Sequence, residues 1–147
     1  VEFPFEFLTY PRHLPHVRAT LERHPRLRAV FDHLSKIRTG EWEPWLTEIG
    51  RIAAEQAQVL CKFSGFTTEA EHAHWTVQDF SPYLEHIWEV FGPDRIMLGS
   101  DFPVCALTAA YEQVIDVINE VPGSRMGKAE QDALLGGDAI TFYRLNQ

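Results

Sequence analysis

Short apolar runs alternate with amphipathic stretches along the whole chain, and each alternation predicts a strand followed by a helix. The run FPFEFLT, residues 3–9, reads as a strand. It is followed by RHLPHVRATLERH, where Leu14, Val17 and Leu21 recur at helical spacing and Pro25 supplies the stop. LRAVFDH, residues 27–33, is short and mostly apolar, as expected of a parallel strand buried on both faces. Trp45, Ile49, Ile52 and Ala53 share one side of a helix predicted over residues 44–56. A third unit opens with AQVLCKFSGF, residues 57–66, and continues into a long polar loop, TTEAEHAHWTVQD. Ser81 and Pro82 predict the N-cap and first turn of the next helix, whose buried stripe is Leu84, Ile87, Trp88 and Phe91; Gly92 and Pro93 end it. The fourth strand is DRIMLGSD, with a helix expected over 107–121 from the spacing of Leu107, Tyr111, Val114, Ile118 and Val121. The tail, KAEQDALLGGDAITFYRL, reads as two short helices broken at Gly136 and Gly137.

Four strand-helix units in succession predict an α/β fold with a parallel sheet, because strand-helix-strand connections are right-handed. Two architectures share that pattern: a small doubly wound sandwich, or half of an eight-stranded barrel. A doubly wound nucleotide binder should carry a glycine-rich turn after its first strand, and this chain has none. Polar residues instead gather after several different strands, which is how a barrel builds its site.

Composition narrows the function classes. Thirteen Lys plus Arg stand against twenty-one Asp plus Glu, a net charge of −8, so general attraction to nucleic acid or anionic lipid is not expected. Cys61 and Cys105 form no CxxC pair and fit a reducing compartment better than a disulfide framework. With no long apolar span and no charged-then-apolar leader, the expected location is cytoplasmic. The 147 residues suit one domain, and a first residue of Val1 is what a piece of something longer would show.

Ligands of parallel folds meet the carboxyl ends of the strands, so the informative residues stand where each apolar run stops. These are Tyr10, Arg12 and His13; Asp32 and His33; Lys62 and Ser64; Ser100 and Asp101. Asp101 is the leading candidate, able to take a proton from water, to coordinate a divalent metal, or simply to cap the next turn. His33 is a candidate metal ligand or acid-base group, and alternation along a strand would point it and Asp32 to opposite faces. Lys62, inside VLCKFSGF, must reach the rim or pair its charge, so substrate contact and a structural ion pair are both open. Trp75 would close over a substrate or pin its loop. His72 and His74 lie on that loop in surroundings that do not present two rings to one side, so no metal is expected there. No GxSxG, HExxH or Walker sequence is present, and Cys61 lies inside an apolar run.

Taken in order, AVFDHLSKI, VLCKFSGFTTEA with the later Trp75, FGPDRIMLGSDFPV and LLGGDAITFYRL resemble the carboxyl-terminal half of the amidohydrolase-related lactonases, over about residues 25–145. The resemblance implies the last four strands of a (β/α)8 TIM barrel plus C-terminal helices, with residues 1–147 as half of one domain. It implies that Asp101 ends the eighth strand as catalytic base and metal ligand, that His33 ends the sixth as a metal ligand, and that Lys62, with Asp32 and Trp75 beside it, contacts substrate. The implied reaction is metal-assisted ring opening of a sugar lactone, with zinc the divalent metal expected. The family's amino-terminal H-x-H pair has no counterpart here. By itself the chain is therefore expected to lack a tight metal site and to need a partner, either the missing half-barrel or a second copy; a catalytically silent assembly module is the alternative.

Overall fold

The computed structural model describes residues 3–72, 74–121 and 125–145. Four strands, β1 (Phe5–Phe7), β2 (Ala29–Phe31), β3 (Val59–Phe63) and β4 (Ile96–Leu98), form one sheet in the order β1-β2-β3-β4. Every pair is parallel: Phe5 sits opposite Ala29, Ala29 opposite Val59, and Cys61 opposite Ile96. A doubly wound sheet reverses its strand order at a switch point, and this one does not. Spatial order equal to chain order is the arrangement of successive units in a (β/α)8 barrel, which settles the two architectures that composition left open.

Alternation along each strand explains the layering. Phe7, Phe31, Val59, Cys61, Phe63, Ile96 and Leu98 face a helical layer built from α1 (Leu14–Arg23), α2 (Trp45–Glu55), α3 (Val77–Phe91) and α4 (Tyr111–Glu120). Trp45 is completely buried there, and its indole N–H donates to Leu34 O at 2.7 Å, so its polar edge is satisfied. Burying such a side chain stabilises by about 1.5–3 kcal/mol. Burial also pushes the Cys61 thiol up, which leaves it a poor nucleophile.

The opposite face carries Val30 and Met97, and it is covered by Phe142 from the last helix. That helix, α6 (Asp138–Tyr143), follows α5 (Lys128–Asp132) and a wider π turn over Ala133–Gly137, so the tail breaks at the predicted glycines. Asp138, Thr141 and Phe142 line one pocket with Arg28, Gln58 and Asp94, which precede β2, β3 and β4. The helix thus plugs the amino-terminal end of the sheet and leaves the carboxyl ends open. After α6, Arg144 has φ +56° and Leu145 N–H reaches Ile140 O at 3.1 Å, a left-handed helix end. Arg144→Gly is expected to raise stability by about 0.5–1 kcal/mol, seen as a higher urea midpoint at constant slope. An unchanged midpoint would mean that the position carries no strain.

Two predicted helix starts move. The helix expected to begin at Ser81 begins at Val77, because Thr76 is extended (φ −127°) and Asp79 Oδ2 accepts from its backbone N–H at 2.6 Å. Ser81 lies inside the helix and donates to Val77 O. The helix expected from residue 107 starts at Tyr111, after a separate 3₁₀ turn over Val104–Leu107. Large apolar side chains remain exposed along both outer strands: Phe3 (79%), Phe5 (51%) and Leu8 (62%) around β1, and Phe102 (69%) and Leu107 (75%) after β4. Among the described residues, no helix is long and apolar enough to cross a membrane.

Candidate active site

At the open end a cavity of about 360 Å³ is lined by Glu6, Asp32, His33, Lys62, Ser64 and Asp101, with Tyr143 among the remaining walls. Asp32, His33, Lys62, Ser64 and Asp101, all singled out as strand-end residues in the sequence, therefore converge, whereas Tyr10, Arg12, His13, Ser100 and Trp75 do not line this cavity. Their meeting depends on an unusual backbone. The strand stops at Phe31, and His33, Leu34, Ser35 and Lys36 all have positive φ (+54°, +52°, +57° and +48°), one turn of left-handed helix without a glycine. Such a turn costs about 1–2 kcal/mol per residue, so its surroundings must hold it. Leu34 is buried and its carbonyl accepts from Trp45; Thr9 lies within hydrogen-bond reach of Ser35; Lys36 pairs with Glu69 at 2.8 Å. The turn swings His33 to the same cavity as Asp32, which corrects the expectation of opposite faces: the two residues are no longer in a strand, so alternation does not apply.

The His33 ring is gripped on three sides. Its Nδ1 is 2.8 Å from Ser64 Oγ, its Nε2 is 3.5 Å from Asp101 Oδ1, and a β-carbon on Gly65 would lie 2.6 Å from His33 Cγ. In the tautomer whose Nδ1–H donates to Ser64, the Nε2 lone pair would be free to ligate a cation placed between His33 and Asp101; in the other tautomer Nε2–H faces the carboxylate. Asp101 also has positive φ (+60°), a conformation that Asp tolerates better than most residues. The single hydroxyl proton of Thr68 goes to Gly65 O at 2.7 Å, leaving a longer 3.5 Å contact to Asp101 Oδ2. One carboxylate oxygen thus faces His33, and the other is only loosely held.

Lys62 resolves as an ion pair at the floor of the cavity. Its ammonium lies 2.8 Å from Asp32 Oδ1 and 3.1 Å from Glu6 Oε1. Burial opposes the charge, but Asp32, Tyr143 and Glu6 outweigh it and hold Lys62 above the usual lysine range. The Asp32 contact is close but poorly aligned, and Oδ1 stays a buried acceptor without a well-directed donor.

Trp75 stands outside this group. Its indole N–H donates to Thr108 O at 2.9 Å and its ring packs on Phe80, so it pins the loop to the turn after β4. Glu6 and Tyr143 join the site although sequence reasoning singled out neither, and Ser64, named there only as a strand-end residue, acquires a partner in His33. Glu6 had a signal, a lone carboxylate at the inward position of an aromatic strand; Tyr143, 137 positions from its partner Glu6, had none.

Two ligands about 2.0–2.1 Å from a tetrahedral zinc lie about 3.3–3.4 Å apart. The 3.5 Å between His33 Nε2 and Asp101 Oδ1 fits that bite. Among the described residues no cluster of three or more His, Cys, Asp or Glu could hold a metal, and His33 with Asp101 would furnish two ligands.

Residues 2–145 match the protein family described as Amidohydrolase. The L-fucono-1,5-lactonase of Burkholderia multivorans is 33% identical over 155 residues, covering 98% of this chain and 52% of that protein. The Burkholderia ambifaria L-fucono-1,5-lactonase is 34% identical, covering 99% of this chain and 51% of that protein. The crystal structure of a Burkholderia multivorans amidohydrolase with bound zinc superposes with TM-score 0.87 at 34% identity, over 95% of this chain and 51% of that one. A putative 2-pyrone-4,6-dicarboxylic acid hydrolase from Pseudomonas putida, at 16% identity and TM-score 0.79, shares the fold. The chain spans about half the length of the relatives it matches.

Proposed function

The chain belongs to the amidohydrolase family, and from that premise we propose that it supplies the catalytic half of a sugar-lactone hydrolase. Residues 1–147 are the last four β/α units of a barrel, and the partner they require is another four-unit half. Exposed Phe3, Phe5 and Leu8 beside β1, and Phe102 and Leu107 after β4, are the apolar surface such a half would cover.

The observation that carries the reading is the approach of His33 Nε2 to Asp101 Oδ1 at 3.5 Å, on strained backbone at the open ends of parallel strands. Asp101 takes a proton from a water as the water oxygen adds to the lactone carbonyl. When the ring C–O bond breaks, that proton passes to the departing ring oxygen, leaving a hydroxy acid. The Asp32 carboxylate accepts from a sugar hydroxyl, and the Lys62 ammonium donates to a further oxygen of the substrate. A divalent metal, zinc foremost, would be held by His33 and Asp101 with ligands from the other half, and when bound it supplies Lewis-acid polarisation of the carbonyl.

The test is a panel of aldonolactones offered to the full-length protein, followed by proton release and chromatography of the acid. Ring opening of at least one sugar lactone at a kcat/KM above about 10⁴ M⁻¹s⁻¹ is expected. Absence of hydrolysis across the panel in the zinc-loaded protein would overturn the reading.

A further inference from the structure

The plug helix at the closed end of the sheet reaches the cavity at the open end through Ala139 and Tyr143, and Tyr143 brings the polar group. Phe142 anchors α6 against Val30 and Met97, under the ring-stacked Arg28 guanidinium 5.1 Å away. The next residue, Tyr143, extends along the inner face: its hydroxyl donates to Glu6 Oε1, and the Lys62 ammonium lies 5.7 Å from the centre of its ring. Glu6 in turn meets Lys62 at 3.1 Å, and Lys62 meets Asp32 at 2.8 Å. We propose that Tyr143 is a positioning residue of the active site, holding Glu6 against Lys62 so that the ammonium is fixed between two carboxylates and Asp32 is fixed beside His33.

Glu6 needs such a hold. It belongs to the outermost strand and its side chain is 43% exposed, so water competes for it. The hydrogen bond from Tyr143 is the leading cause that keeps Glu6 below the usual carboxylate range, and burial followed by Glu6 pushes the Tyr143 phenol up to about 12. The phenol therefore stays protonated and donating at any physiological pH. Without it, Glu6 is free to turn to solvent, and Lys62 keeps one counter-charge against the cost of its burial. The charge-ordering step stands on these contacts alone; its effect on turnover rests on the lactonase reading above.

Lysine side-chain NMR of the full-length protein identifies the Lys62 signal as the one lost in Lys62→Arg. In the full-length protein Tyr143→Phe keeps the ring and removes the hydroxyl. The Lys62 titration is expected to fall by about one pH unit, a tenfold gain in neutral amine at a given alkaline pH, and Glu6 is expected to titrate higher. Lactone kcat should fall about tenfold with KM changed less than twofold. Tyr143→Leu should show the same titration shift together with a lower Tm from lost packing. Unchanged Lys62 and Glu6 titrations in Tyr143→Phe, whatever happens to Tm, would overturn the proposal and leave Tyr143 a packing residue. A shifted Lys62 in a protein that hydrolyses no lactone would sustain the positioning role and sink the lactonase reading separately.

Discussion

Asp101→Asn in the full-length protein is expected to lower kcat for lactone hydrolysis by about 10²–10⁴-fold, the span that positioned proton transfer contributes. The substitution is nearly isosteric, and Asn accepts the left-handed backbone at φ +60° as readily as Asp. Backbone contacts such as Cys105 N–H to Asp101 O at 2.9 Å are untouched. Tm should therefore stay within a few degrees of the parent, which separates lost chemistry from lost fold. An amide keeps one acceptor but binds no proton near neutrality, so water activation fails while substrate still docks. KM should move much less than kcat. A variant with activity within fivefold of the parent would remove Asp101 from the role of base.

Gly65→Ala carries the second large effect, and here stability leads. The position combines φ +63° with a β-carbon site 2.6 Å from His33 Cγ and 2.7 Å from its Nδ1. A left-handed alanine costs about 1–2 kcal/mol, and forcing a methyl into packed atoms adds about 1–3 kcal/mol. The His33 ring cannot yield cheaply, because moving it breaks the Ser64 contact and opens the gap to Asp101. A loss of about 2–5 kcal/mol in urea denaturation is expected. Gly40→Ala is the matched control: φ is +90°, but nothing lies within 4 Å of the added carbon. That variant should lose only the backbone share. Equal losses in the two variants would mean that His33 is not braced by the glycine.

Much of the fold was legible because helices and buried strands write their periods locally. Leu14, Val17 and Leu21 mark one stripe and Val59, Cys61 and Phe63 one strand face, wherever the units are later placed. Strand order is not local: a sandwich and a half-barrel use the same four units, so composition was silent between them. The true start of α3 was present in the sequence as Thr76-x-x-Asp79, a capping pattern outcompeted in sequence reasoning by the stronger Ser81-Pro82 signal. In the site, Asp32, His33, Lys62 and Asp101 were legible because strand ends mark the mouth of any parallel sheet. The left-handed turn from His33 to Lys36 was not, since Leu34 and Lys36 are residue types with no preference for positive φ. Tertiary contacts alone impose it. For Trp75 the sequence left two roles open, closing over a ligand or pinning its loop, because a loop position says little about which neighbour, here Thr108, will receive the indole.

The agreement between spatial and chain order also shapes how the molecule is assembled. Each strand finds its partner one unit away, Phe5 with Ala29, Ala29 with Val59 and Cys61 with Ile96, so no pairing has to wait for a distant segment. Loop-closure cost stays nearly constant from unit to unit, and structure can grow as in a repeat protein, each new strand docking on the edge left by the last. The tail is the exception: Phe142 returns to Val30, and Tyr143 reaches back to Glu6. That contact forms only after everything between them is in place, so hydrogen exchange at β1 should gain its final protection last. The site's charge network is then a late product of folding, complete only when the tail has reported that the sheet is built.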